Sequence, residues 1–97
     1  MSEAITTPWA PLNGDEGFYV TFKRDSRTGT LLGPFSTHET ALLYVDTGRE
    51  MAIEVDPMAA FDEFGTARAR RGPSARPFPP GKLNARWEER YGQVQPG

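Results

Sequence analysis

Cysteine is absent from the 97-residue chain, which removes disulfides, thiolate nucleophiles and cysteine-based zinc or iron–sulfur sites. Whatever core the chain has must stand by packing alone. Histidine occurs once, at His38, with no second histidine or cysteine to share a metal, so neither a metal nor another cofactor is expected. Long apolar runs are missing as well. No stretch approaches the ~20 residues of a membrane span, and MSEAITTPWAPLNGDEG has neither the basic start nor the apolar core of a signal peptide. A cytoplasmic protein with no membrane partner is the expectation.

The patterns of catalysis are equally scarce. Asp62 and Glu63 are adjacent on an expected strand and so point to opposite faces, unlike a paired acid and base. No serine or threonine lies in a nucleophile-elbow pattern, and Gly29 and Gly33 do not build a phosphate-binding fingerprint. The chain is expected not to be an enzyme, and no residue is assigned a catalytic role.

What is present suffices for one small domain. Hydrophobic residues make up 37% of the chain and charged ones 25%, leaner than an average globular protein but above the level of a fully disordered one, so part of the chain should fold. Its formal charge of -2 conceals an asymmetry. Residues 1–66 hold four Lys/Arg against eleven Asp/Glu, and residues 67–97 hold seven against two, which is -7 followed by +5. Such a split predicts an acidic body with a basic arm that folds back on it or reaches an anionic partner.

Residues 1–16 combine Pro8, Pro11, Asn13 and Gly14 without apolar periodicity and read as a flexible leader, with Trp9 expected to plug a gap on the domain surface. From residue 17 the pattern becomes GFYVTFKRD. Phe18, Val20 and Phe22 alternate with Tyr19, Thr21 and Lys23, the period of a half-buried strand. DSRTG supplies a turn and TLLGPF a second strand, giving a hairpin that Gly33 and Pro34 should end. Ser36 and Glu39 form a capping-box pattern, so a helix is expected from Thr37. Its stripe of Ala41, Leu42, Val45, Gly48, Ala52 and Val55 should lie on the hairpin, with Gly48 marking a close approach to the sheet. Asp56-Pro57 ends it. AAFDEFGTARAR reads as a third strand with Phe61 and Phe64 in the core. Their odd separation calls for a bulge or a late start around Gly65.

Beyond Arg71, GPSARPFPPG is a linker or an extended docking segment, and KLNARWEERYG a short helix carrying Leu83 and Trp87 on one side. The run Arg68, Arg70, Arg71 and Arg76 suits phosphate contacts, with Phe78 or Trp87 available for stacking; it equally suits protection of a strand edge or neutralisation of acidic residues. One sheet face, carrying Tyr19 and Thr21, lacks cover from the helix. The chain's own proline-rich segment or a second copy in a homodimer would supply it.

Two resemblances attach to these residues. The stretch FYVTFKRDSRTGTLLGPFSTHETALLYVDTGRE, with DPMAAFDEFGTARAR and PPGKLN, resembles a group of small uncharacterised proteins of bacterial phages and mobile elements, over about three quarters of the chain. The likeness implies that context and carries no known activity. Gly33, Pro34, Phe35 and Ser36 resemble the strand-to-helix signature of GYF-type adaptor domains, which implies binding of proline-rich peptides on an aromatic surface to which Tyr19 would belong. The chain departs from that pattern where Arg49 and Glu50 follow Gly48 and where the helix carries no tryptophan.

Together these readings predict an α+β fold: a β-β-α-β module at residues 17–71, one helix on a three-stranded, mainly antiparallel sheet, between a leader at 1–16 and a proline-rich basic tail at 72–97. Its expected work is binding. One candidate partner is nucleic acid or nucleoprotein at Arg68, Arg70, Arg71 and Arg76, and the alternative is a protein or peptide at Tyr19, Phe78 and Trp87.

Overall fold

Alternating aromatic and polar residues at 18–23 build the strand to which the other two strands of the main sheet pair. The computed structural model describes residues 4–6, 8–11, 14–71, 76–91 and 93–95. Residues 1–3, 7 and 12–13 of the expected leader, and 72–75, 92 and 96–97 of the expected tail, lie outside the described residues. In chain order the elements are β1 (Ala4–Thr6), β2 (Glu16–Arg24), β3 (Arg27–Phe35), α1 (His38–Leu43), α2 (Val45–Val55), a 3-10 turn (Pro57–Phe61), β4 (Glu63–Arg70), α3 (Asn84–Tyr91) and β5 (Gln93–Gln95). β2 is the centre of an antiparallel sheet ordered β3-β2-β4, and β1 pairs separately with β5. The fold is α+β, with helices packed on the three-stranded sheet.

The hairpin forms where the alternation places it, but β3 runs on through Gly33 and Pro34 to Phe35 rather than ending before them. The missing Pro34 N–H is harmless because the pairing there is already irregular, with register shifts on either side of Val20. The Pro34 carbonyl accepts a bond from Ala10 N–H at 2.8 Å, which ties the incoming chain to the sheet.

The helix cap also sits one residue later than the Ser36 pattern suggests. Thr37 is the N-cap, its Oγ1 accepting from Thr40 N–H at 3.1 Å, while Ser36 is exposed. The expected single helix breaks at Tyr44, whose ring stacks on Phe35 with centroids 4.8 Å apart and whose N–H bonds back to Ala41 O at 3.0 Å. Because α2 starts afresh after this break, the inward stripe rotates. Ala41, Gly48, Met51 and Ala52 are buried, whereas Leu42 and Val55, both expected inside, are about half exposed at 53% and 52%. Gly48 does make the close approach: a Cβ there would lie 2.9 Å from Val20 Cγ1. Val20, Leu32, Phe35 and Met51 are almost wholly buried, each contributing roughly 1.5–3 kcal/mol of apolar burial.

The third strand starts late, at Glu63. The 3-10 turn before it is capped by Asp56, whose side chain accepts from Met58 N–H at 3.0 Å. Arg24 then bridges both ends of that turn, through Asp56 at 3.1 Å and bidentately to Asp62 at 2.6 and 3.0 Å. Held this way, the turn buries Ala59 and projects Phe61 outward at 82% exposure, so Phe61 is not the core residue expected, whereas Phe64 does pack against the core.

The tail comes back onto the sheet. Gly81 N–H, Lys82 N–H and Leu83 N–H bond to Gly33 O, Thr30 O and Leu31 O at 3.1, 3.1 and 2.8 Å, covering the outer edge of β3. Gly81 has to be glycine, since a Cβ would stand 2.6 Å from the Leu31 carbonyl. Eight-residue α3 would be marginal alone. It is anchored by Trp87, which meets Trp9 at 5.3 Å and Tyr44 at 6.1 Å, and by an Arg90–Glu54 ion pair at 2.6 Å to α2. Trp9 also packs on Phe35 and donates through Nε1 to Glu88 Oε1 at 3.2 Å.

Candidate binding surface on the edge strand

β4 occupies the end of the sheet, hydrogen-bonded to β2 along its whole length from Glu63↔Lys23 to Arg70↔Glu16. The ladder continues one step further, with Arg71 N–H donating to Asp15 O at 2.9 Å. Backbone groups of an antiparallel strand point alternately to either side, so residues 63, 65, 67, 69 and 71 turn theirs toward β2. The N–H and C=O groups of Phe64, Thr66, Arg68 and Arg70 point the other way, to an edge where no strand pairs among the described residues.

Side chains alternate between the two faces of the sheet in the same way. Phe64, Thr66, Arg68 and Arg70 lie on the helix-bearing side, paired with Phe22, Val20, Phe18 and Glu16 of β2. His38, at the start of α1, sets its Nε2 2.9 Å from Thr66 Oγ1 and its ring 5.9 Å from that of Phe18. On the opposite side β4 presents Gly65, Ala67 and Ala69, a row of small residues.

Three of the four arginines expected to contact phosphate therefore stand together at the C-terminal end of β4. Arg68 is exposed and forms no ion pair among the described residues. Arg70 is exposed and makes only a loose pair with Glu16 at 3.7 Å. Arg71 is half-buried, and its Nε has no hydrogen-bond partner among the described residues. Arg76 is exposed and follows the undescribed residues 72–75.

The three aromatics expected at a peptide site are divided between two places. Tyr19 and Phe78 are both buried at the sheet face opposite the helices. Tyr19 O–H donates to Pro79 O at 2.7 Å, burial pushes its phenol pKa up, and the Phe78 ring stands against Gly17. The chain's own proline-rich segment thus covers part of the face that the helices leave bare. Trp87 is elsewhere, within the core cluster around Phe35 and Tyr44.

Two carboxylates, Asp56 and Asp62, are both engaged by Arg24. The Asp56 carboxyl is held below the usual carboxylate range, first by the Met58 N–H and then by Arg24, and the Arg24 guanidinium is pushed up by its bonds to the two carboxylates, that to Asp62 first. This is a structural clamp rather than an acid–base pair. Among the described residues no group of three or more His, Asp or Glu side chains could hold a metal ion, and no helix is long and apolar enough to cross a membrane.

Several residues that shape these surfaces escaped the sequence reading. Asn84, which binds the Gly33 backbone, and Tyr44, which breaks the helix, carry no local signal of either role. The only cue for Trp9 was its isolation in a polar stretch. Comparison of the chain with protein-family models, curated proteins and solved structures gave no match in any of the three.

Proposed function

We propose that this is a non-enzymatic, cytoplasmic binding protein of a phage or mobile-element context, which contacts nucleic acid or a nucleoprotein through the arginine-bearing end of β4. The observation that carries the reading is the disposition of Arg68 and Arg70. They alternate onto one face of an open edge strand, the only acidic side chain paired with either among the described residues is Glu16, and that pair is loose. Guanidinium groups held this way can bond phosphate oxygens bidentately while the strand fixes their spacing. Arg71 and Arg76 add charge beyond the strand's end, and the formal charge of -7 on residues 1–66 directs an anionic ligand to this end rather than to the body.

The test is fluorescence anisotropy with labelled single- and double-stranded oligonucleotides at low and raised salt. The chain is expected to bind at low salt, with affinity falling as salt rises. Replacing Arg68 and Arg70 by alanine should weaken binding equally for all sequences and flatten the duplex salt slope by roughly one unit per arginine. Absence of binding at low salt would remove the reading.

A second reading, protein or peptide binding at the sheet face, draws support from the seat that residues 77–80 occupy over Tyr19. An extended proline segment bound there within the chain marks a surface with the chemistry to hold another. Titration with a PFPPG peptide, followed by amide shifts around Tyr19 and Gly17, tests it. Unchanged shifts at saturating peptide count against exchange of the segment.

A further inference from the structure

We infer that the outer edge of β4 is the site at which a second copy of this chain adds, antiparallel, to make a continuous six-stranded sheet ordered β3-β2-β4-β4-β2-β3. The two sheet edges differ in how they are treated. That of β3 is closed by the chain's own Gly81, Lys82 and Leu83. That of β4 leaves the backbone groups of Phe64, Thr66, Arg68 and Arg70 facing outward with no strand beside them among the described residues. An open strand of eight residues is a template for another strand, and the composition of β4 selects which one.

Its sequence is EFGTARAR: acidic at the start, small in the middle, basic at the end. Antiparallel pairing of two such strands lays each acidic start beside the other's basic end, so the strand is complementary in charge to itself. Symmetry narrows the register. A twofold axis normal to the sheet keeps each residue on the same face in both copies, so facing residues must be an even number of positions apart or be the same residue. Centring the axis on Arg68 would oppose it to the partner's Arg68, a like-charge pair. Centring it on Thr66 would oppose the partner's Arg70 to Asp62, which Arg24 already engages.

Centring on Ala67 meets neither objection. Thr66 faces the partner's Arg68 and Phe64 the partner's Arg70, which brings all of the outward backbone groups into hydrogen-bonded pairs. On the other face Gly65 meets the partner's Ala69 and Ala67 meets its own copy without steric conflict. Glu63 comes opposite the partner's Arg71, the guanidinium whose Nε has no hydrogen-bond partner among the described residues. The arginines of β4 thereby fix the register of self-pairing. The same arrangement carries the Arg68 and Arg70 side chains of both copies on one continuous face, though the pairing does not depend on nucleic acid.

The absence of cysteine from the 97-residue chain makes a direct test available without removing any segment of it. In this register Ala67 and its copy form a non-hydrogen-bonded pair with Cα atoms about 4.5 Å apart, within disulfide reach. The two copies of Ala69 lie roughly 13 Å apart along the strands, well beyond the limit of about 7 Å. Mild oxidation should therefore convert Ala67→Cys to a cross-linked dimer and leave Ala69→Cys as single chains. Sedimentation velocity of the unsubstituted chain should show its mass rising toward that of two copies with concentration. Equal cross-linking of the two variants overturns the register. A mass that stays at one copy at the highest concentration, with no cross-link from Ala67→Cys, overturns the pairing and leaves the edge to a partner other than this chain. Both variants keep Arg68, Arg70 and Arg71, so this failure and a failure of phosphate binding are separately readable.

Discussion

At the residue scale, Asn84 does the work of a neighbouring strand. Its Oδ1 accepts from Gly33 N–H at 3.0 Å and its Nδ2 donates to Gly33 O, so one side chain bonds both backbone polar groups of a buried residue at the edge of β3. Gly33 O has a second donor in Gly81 N–H at 3.1 Å, whereas the acceptor that faces Gly33 N–H is Asn84 Oδ1. Removing the amide strands that one donor in a dry environment, and an unsatisfied buried group costs about 1–3 kcal/mol. Asn84→Ala is therefore expected to lower unfolding stability by that amount in urea titration. Asn84→Asp should also be damaging but for another reason: its carboxylate can still accept from Gly33 N–H, yet it places a charge in a buried site against the Gly33 carbonyl oxygen. An unchanged urea midpoint for Asn84→Ala would mean that the bond is replaced by water. Nothing at position 84 announces this role in the sequence, since the pairing partner is 51 residues away.

At the element scale, the contact of α2 with β2 decides how near the helix layer can lie, and Gly48 is where it is tightest. Alanine there would gain ~1 kcal/mol of helix propensity, yet its Cβ would sit 2.9 Å from Cγ1 of Val20, a fully buried side chain that is stiff at χ1. Overpacking of this kind costs about 1–3 kcal/mol, so Gly48→Ala should destabilise the protein on balance, checked by its thermal midpoint. A rise in midpoint would show that the layers can part without loss. The close approach was legible because a glycine amid apolar helical spacing has few other uses. The hairpin was legible from the alternation of residues 18–23. The break at Tyr44 and the outward Phe61 were not, because each is imposed from a distance: Phe35 captures the Tyr44 ring, and Arg24 clamps Asp56 and Asp62 so that the turn between them faces Phe61 to water. The arginine run, likewise, stood out in composition, whereas the openness of the β4 edge follows from strand order, which no local pattern encodes.

At the scale of the whole molecule, the tail is a structural part of the fold rather than an appendage, and Trp87 is the joint. The three-stranded sheet with α1 and α2 is small, and a core of that size supplies little surplus against chain entropy. Residues 78–91 close the β3 edge, cover Tyr19, and place Trp87 where Trp9 from the beginning of the chain and Tyr44 from the helix junction converge near Phe35. Truncating a buried tryptophan costs about 3–5 kcal/mol, a large share of the roughly 5–15 kcal/mol that holds a typical domain together. Trp87→Ala should consequently release Trp9 and α3 together. The expected outcome is a thermal transition lower by many degrees or no longer cooperative, and loss of the near-ultraviolet circular dichroism that packed indoles give. The Tyr19 phenol provides an independent readout. Its raised pKa comes from burial, and a folded value above the unfolded one means that its contribution to stability is complete below about pH 10 and is lost as pH rises through the folded value. If the tail lifts away when Trp87 is removed, Tyr19 should titrate at a lower pH than in the intact chain, measured by tyrosinate absorbance. A sharp melt at the original temperature, with Tyr19 titrating as before, would instead show that the sheet and first two helices stand without the tail.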